Sequence, residues 1–166
     1  MRFSLVSLCT AALALLVTSC GTVEHSYISD VADIPLKSAT IPSGSWANSP
    51  LRANSLYILH GAESNQEREN RIGDYYYVRW YDAEPEKEAR LVMRYTQALT
   101  TSQVLTEEKV YSAPREGHET HLHRFCFSGP ERKKRGDVLS WRIELYVDGK
   151  LRDSRQSYLW QEPMKK

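Results

Sequence analysis

The chain has 166 residues, with 22 Lys and Arg against 21 Asp and Glu and a formal net charge of +1 at pH 7. A chain so balanced carries no bulk field to draw in nucleic acid or an acidic membrane, and its length suits a single domain.

Met1 and Arg2 give a short positive start, and Phe3 to Val17 form an almost unbroken apolar run. That is the pattern of a signal peptide, and the run is too short to cross a bilayer as a mature helix, which needs about 20 apolar residues. The run ends in Leu16, Val17, Thr18, Ser19, Cys20 and Gly21, which resembles the lipobox of bacterial lipoproteins. The resemblance implies removal of residues 1–19, a diacylglyceryl thioether on Cys20 and an acylated N-terminus. Two or three acyl chains anchor stably where one binds only marginally. Gly21 stands where that family often carries the Asp that marks inner-membrane retention. The implied location is therefore exported and membrane-anchored, at the outer membrane or its periplasmic face or at the cell surface, with the bilayer as first partner.

Removing 19 of the 166 residues leaves 147 and takes away Arg2 alone among the charged side chains. Cys9 leaves with the signal and Cys20 is lipidated, so Cys126 has no partner in the chain. Exported proteins favour disulfides, yet none can form here, and stability must come from an ordinary hydrophobic core. A lone buried Cys reads as a small packing residue. From Cys20 to Pro50 the chain is rich in Ser, Thr, Ala, Pro and Gly without sustained periodicity. It reads as a flexible tether with a root-mean-square reach of roughly 30 Å, leaving residues 51–166 as the folded domain.

Beyond the tether, short β-type runs alternate with turn-forming clusters. Seven strands are expected: Ser55 to His60, Tyr75 to Tyr81, Ala89 to Thr96, Gln103 to Tyr111, Glu119 to Phe127, Val138 to Val147 and Lys150 to Leu159. No stretch carries a convincing helical stripe. The last two strands flank Asp148 and Gly149, a two-residue turn pair that tolerates positive φ. Within the first of them Leu139, Trp141, Ile143, Leu145 and Val147 face one way and Ser140, Arg142 and Glu144 the other, so one face belongs to the core and one to water. Seven strands in this length point to an all-β fold, a single antiparallel β-sandwich, with a small up-and-down barrel as the alternative. In strand count and spacing the domain resembles an immunoglobulin or fibronectin type III module. Trp80 stands for the buried Trp of such folds, without the Cys pair of antibody domains.

No nucleophile elbow, phosphate-binding glycine loop or metalloprotease motif occurs, and nothing calls for a cofactor. His118, Glu119, Thr120 and His121 fall one residue short of the helical zinc-protease pattern and sit in a strand. His118, His121 and His123 are nonetheless the densest metal-capable group, because imidazoles at this spacing ligate zinc or copper. Phe125 and Phe127 share the parity of His121 and His123, which favours a packing role. Tyr75, Tyr77 and Tyr81 share one strand face and are the candidate platform for stacking on a sugar, although Tyr is also a favoured strand residue that packs across strands. Arg132, Lys133, Lys134 and Arg135 read as the solvated tip of a loop, and Asp82, Glu84, Glu86 and Glu88 lack the converging oxygens that calcium needs.

The leading expectation is a membrane-anchored, non-catalytic interaction or structural module that meets an envelope protein, and no nucleic acid. A glycan-binding module is the alternative, and a metal-binding protein or enzyme the third. Cys20→Ala should abolish incorporation of labelled fatty acid and leave the precursor unprocessed. A Cys20→Ala protein that matures and keeps its label would overturn the lipoprotein reading.

Overall fold

The computed structural model describes residues 25–41, 50–100, 103–116 and 119–160. The signal peptide and Cys20 lie outside the described residues. Seven strands form two antiparallel sheets. One has the order β1 (Tyr27–Leu36), β2 (Gly73–Tyr81), β5 (Thr120–Ser128). The other has the order β4 (Leu105–Tyr111), β3 (Ala89–Gln97), β6 (Val138–Val147), β7 (Lys150–Gln156). The sheets face each other as a sandwich, as expected, and neither closes into a barrel. In the constant-type immunoglobulin arrangement the fourth strand extends the first sheet; here β4 pairs with β3 instead.

Alternation builds the core. Val78, Trp80 and Phe125 from one sheet meet Leu91, Met93, Ile143, Leu145 and Val147 from the other, all buried. Trp80 is fully enclosed, with the Tyr111 ring edge-on at 5.2 Å. The β6–β7 hairpin turns at Asp148 and Gly149 with φ of 53° and 68°, the two positive values that a type I′ turn requires.

Six of the seven expected strands are present. The remaining one, Ser55 to His60, falls instead largely in a helix, α1 (Pro50–Leu59), which is followed by a short helix, α2 (Asn65–Asn70). In α1 Ser55, Ile58 and Leu59 are buried. Their spacing of three and four places them on one helical face, and Leu36 and Tyr75 cover it. The start of α2 carries a reciprocal capping box, Ser64 with Glu67, a signal legible in the sequence.

The expected tether is corrected more deeply, because ten of its residues form β1. This strand pairs with β2 from Tyr27↔Tyr81 to Leu36↔Gly73, with a bulge between Ile28 and Asp30. The bulge breaks the period-two pattern, and Asp30, Asp33 and Pro35 make the stretch read as loop. An edge strand accepts all of these. Its outer edge is held by β7: the Ile28 N–H donates to Asp153 Oδ2 at 2.9 Å and Arg155 Nη2 donates to the Ile28 carbonyl at 2.9 Å. The folded domain therefore includes Tyr27–Leu36, ahead of the expected start at residue 51.

Two further expectations change. The basic run is a short helix, α3 (Gly129–Arg135), rather than a loop tip. Arg132 turns inward to pair with Asp74 at 3.2 Å and Asp137 at 2.6 Å, while Lys133 and Lys134 remain exposed. On β6 the face assigned to water is partly closed. Glu144 is buried beneath Arg142 at 2.9 Å, Arg94 at 3.5 Å and the Tyr146 hydroxyl at 3.0 Å. Leu139, at the other end of the core face, is 44% exposed. Ile143→Ala should therefore cost about 2 to 5 kcal/mol and Leu139→Ala no more than about 0.5 kcal/mol in chemical denaturation. Equal losses would refute the register.

Candidate functional site

The outward face of the β1–β2–β5 sheet is set by its register. Tyr27 with Tyr81, Ala32 with Tyr77 and Arg124, and Ile34 with Tyr75 and Cys126 form its cross-strand rows. The three tyrosines proposed as a sugar platform do share this face, but they do not form an open row. Tyr75 is 3% exposed beneath α1, Tyr77 packs at the margin of the same small core, and Tyr81 lies against Tyr27 with ring centroids 5.6 Å apart. The helix that the sequence reading missed is what covers them.

Where α1 stops short of β5 it leaves an open groove of about 540 Å³, lined by Tyr57, Ile58, His60, Arg71, Tyr75, Arg124, Cys126 and Ser128. Its floor is rigid. Arg71 Nη1 donates to the carbonyls of Ile58 at 2.9 Å and His60 at 2.6 Å, which satisfies the unpaired end of α1. The Tyr75 hydroxyl donates to the Arg71 carbonyl at 2.6 Å, and burial, with Cys126 adding to it, pushes this phenol up to about 12. Arg124 stands opposite Tyr77, whose hydroxyl holds the guanidinium above its ordinary value. Tyr57 is exposed and meets Tyr77 edge-on at 6.2 Å, forming an aromatic wall. Cationic side chains line this groove and, among the described residues, no carboxylate does, an arrangement that suits an anion joined to a flat or apolar part.

Cys126 is exposed on this face, which corrects the expectation of a packing residue. Its hydrogen-bond neighbour is Ser128 Oγ at 3.4 Å. Among the described residues no hydrogen bond joins the thiol to His60, the contact that would make a nucleophile of it.

The histidines go elsewhere. His121 stacks on Trp80 with centroids 4.7 Å apart and sits 3.6 Å from Asp82. His123 stands edge-on to Phe125 at 4.6 Å, and burial, then Lys109 and Arg124, lower its pKa. Both rings lie on the inner face of β5, and His118 lies outside the described residues. Among the described residues no three metal-capable side chains converge.

The acidic stretch supplies structural carboxylates: Glu84 pairs with Arg152 at 2.6 Å and Lys87 at 2.8 Å, and Asp82 is the more deeply buried of the two. Asp82 is fully buried and receives Arg115 Nε at 2.7 Å, the Glu84 N–H at 3.1 Å and Ser26 Oγ at 3.4 Å. Arg115 also donates to the carbonyls of Lys87, Tyr111 and Glu84. This knot ties the β2–β3 loop to the β4–β5 connection.

The groove was illegible because its defining wall, α1, was read as a strand; Arg71 and Arg124 stand 53 residues apart, and only the register of β2 with β5 brings them together. Compared with protein-family models, with curated proteins and with solved structures, the chain matches none.

Burial alone would raise the Asp82 carboxyl, but Arg115, the Glu84 N–H and His121 outweigh it and hold the group below its ordinary 3.8. A depressed carboxylate contributes stability that is complete above its unfolded value and is lost as pH falls through the folded one. Arg115→Met should thus cost about 3 to 5 kcal/mol at neutral pH, the range for breaking a buried pair. The gap from wild type should close in urea titrations run well below the ordinary carboxylate value. A gap unchanged in acid would show that Arg115 acts through packing alone.

Proposed function

We propose that the protein is a lipid-anchored, non-catalytic interaction module of the cell envelope, and that its recognition site is the groove between α1 and β5. The observation that carries this reading is the groove's lining: His60, Arg71 and Arg124 with the Tyr57 ring, and no carboxylate. An envelope offers anionic groups of suitable size in lipid headgroups, acidic glycans and protein carboxylates. Charge-assisted donors recognise all of these. The resemblance of the residues ending in Cys20 to a lipobox supports the anchoring.

Glycan binding remains the second reading, moved from the tyrosine row to Tyr57. An exposed ring beside Arg124 suits an acidic sugar, whose ring can stack while its carboxylate pairs. Titrating the protein with inorganic phosphate, glucuronate and glucose, followed by NMR, tests both readings. Signals of His60, Tyr57 and Arg124 should shift with either anion and not with glucose, and Arg124→Glu should abolish the shifts. Larger shifts with glucuronate than with phosphate would favour the glycan, and no shift with either anion would remove the groove as a site.

A further inference from the structure

We infer that the outer face of the β1–β2–β5 sheet, together with α1 lying on it, docks on the bilayer that holds the Cys20 acyl chains, and that the groove receives an anionic phosphate headgroup. This rests on the lipidation of Cys20 and on the groove as an anion site.

The first argument is length. Since β1 starts at Tyr27, only residues 21–26 separate the lipidated Cys from the sandwich. Their full reach is about 25 Å, and as a coil about 15 Å. The ten-residue strand they lead into is itself about 33 Å long. The domain is therefore held within that distance of the headgroups, with either its Tyr27 end or one of its sides as the surface nearest them.

The second argument is charge at that end. Glu86, Glu88, Glu116, Glu119 and Asp148 are exposed there against Lys87 and Lys150. Standing end-on would press carboxylates against an anionic surface, whose potential attracts cations and repels these groups. Lying on a side avoids this.

The third argument selects the side. In α1 the buried residues Ser55, Ile58 and Leu59 face the sheet, yet Tyr57 and Leu56 are 67% and 43% exposed off that face, and Leu51, in the first turn, is 65% exposed. A helix apolar on both its sheet-facing and outward surfaces calls for a second apolar partner. Leu122, 60% exposed on β5, and Tyr27 beside the leader belong to the same sheet face. The basic side chains Arg79 and Arg124 are exposed among them, with Asp30 opposite Arg79. Apolar side chains mixed with Arg, and Tyr at headgroup depth, are the composition of an interfacial surface. The other sheet's outer face is instead an ion-paired mosaic, Arg90 with Glu108 and Arg94 and Arg142 with Glu144, already satisfied in water. The remaining exposed apolar side chains are spread over the β3–β4 connection, β4, β6, β7 and the C-terminal segment.

The test uses the full lipoprotein, with Cys126→Ser to leave no native thiol, reconstituted into phosphatidylcholine vesicles with and without phosphatidylglycerol. Intact mass reports the thioether on Cys20 independently. Nitroxide labels replace Tyr57, Leu122 or Val110, the last exposed on the opposite sheet, and their access to oxygen and to a water-soluble nickel complex is compared. The labels at 57 and 122 should show a several-fold higher oxygen-to-nickel ratio than the label at 110, more so with phosphatidylglycerol. Leu56→Asp with Leu122→Asp should abolish the difference at position 57 without moving the melting temperature. Equal ratios at all three positions in protein of correct lipidated mass would overturn the docking while sparing the anchor. An unmodified Cys20 would overturn both. Loss of the label difference on adding inorganic phosphate supports a headgroup in the groove, whereas phosphate-induced NMR shifts that persist unchanged in docked protein would overturn that part.

Discussion

Asp82 carries a full charge with none of its surface in water, and a buried carboxylate costs several kcal/mol unless its partners converge on it. Here they come from three separate parts of the chain: Arg115 from the β4–β5 connection, the Glu84 N–H from the β2–β3 loop and Ser26 from the start of the domain. Ser26 is bound on both sides, since its hydroxyl also accepts the Ala83 N–H at 3.0 Å. The Arg115 guanidinium lies 5.8 Å from the centre of the Trp80 ring, so the polar knot closes directly onto the largest buried side chain of the core. Satisfying this one carboxylate fixes one end of the sandwich and also fixes where the chain enters it.

That entry point governs what the N-terminal segment does. With Ser26 pinned and Ile28 held from both sides by β2 and β7, β1 cannot peel away to lengthen the leader without exposing Asp82. The tether read from composition would let the domain wander some distance from its anchor. The structure instead makes Tyr27–Leu36 a paired edge strand, so this part of the chain is not free coil.

Strict alternation made six strands legible, because Leu91, Met93 and Tyr95 on β3, or Ile143, Leu145 and Val147 on β6, repeat with the period of a sheet that buries one face. β1 escaped because its bulge shifts the parity after Ile28 and its edge position tolerates Asp30, Asp33 and Pro35, each a loop residue by composition. α1 escaped for a different reason. Leu56, Ile58 and His60 alternate as a strand would, and only the burial of Ser55, Ile58 and Leu59 discloses the helical period. Arg132 misled by charge: sequence counts it as a free cation, but Asp74 holds it inside. The groove depends on α1 and on the β2–β5 register together, so no local pattern could have announced it.

The same accounting of cations separates structure from recognition. Arg71 caps α1, Arg115 neutralises Asp82, Arg132 neutralises Asp74, and Arg152 meets Glu84 at 2.6 Å. Each of these guanidiniums is tied to an internal acceptor and so serves the fold first. Arg124 differs: it lies exposed on an outward sheet face beside an aromatic wall, in a groove without a carboxylate. A weakly hydrated, planar guanidinium in that setting pairs with a phosphate or carboxylate at lower desolvation cost than a lysine would. Local arrangement, and not net charge, therefore sets the sign of a surface patch, which is how a nearly neutral chain exposes Arg79 and Arg124 on one sheet face.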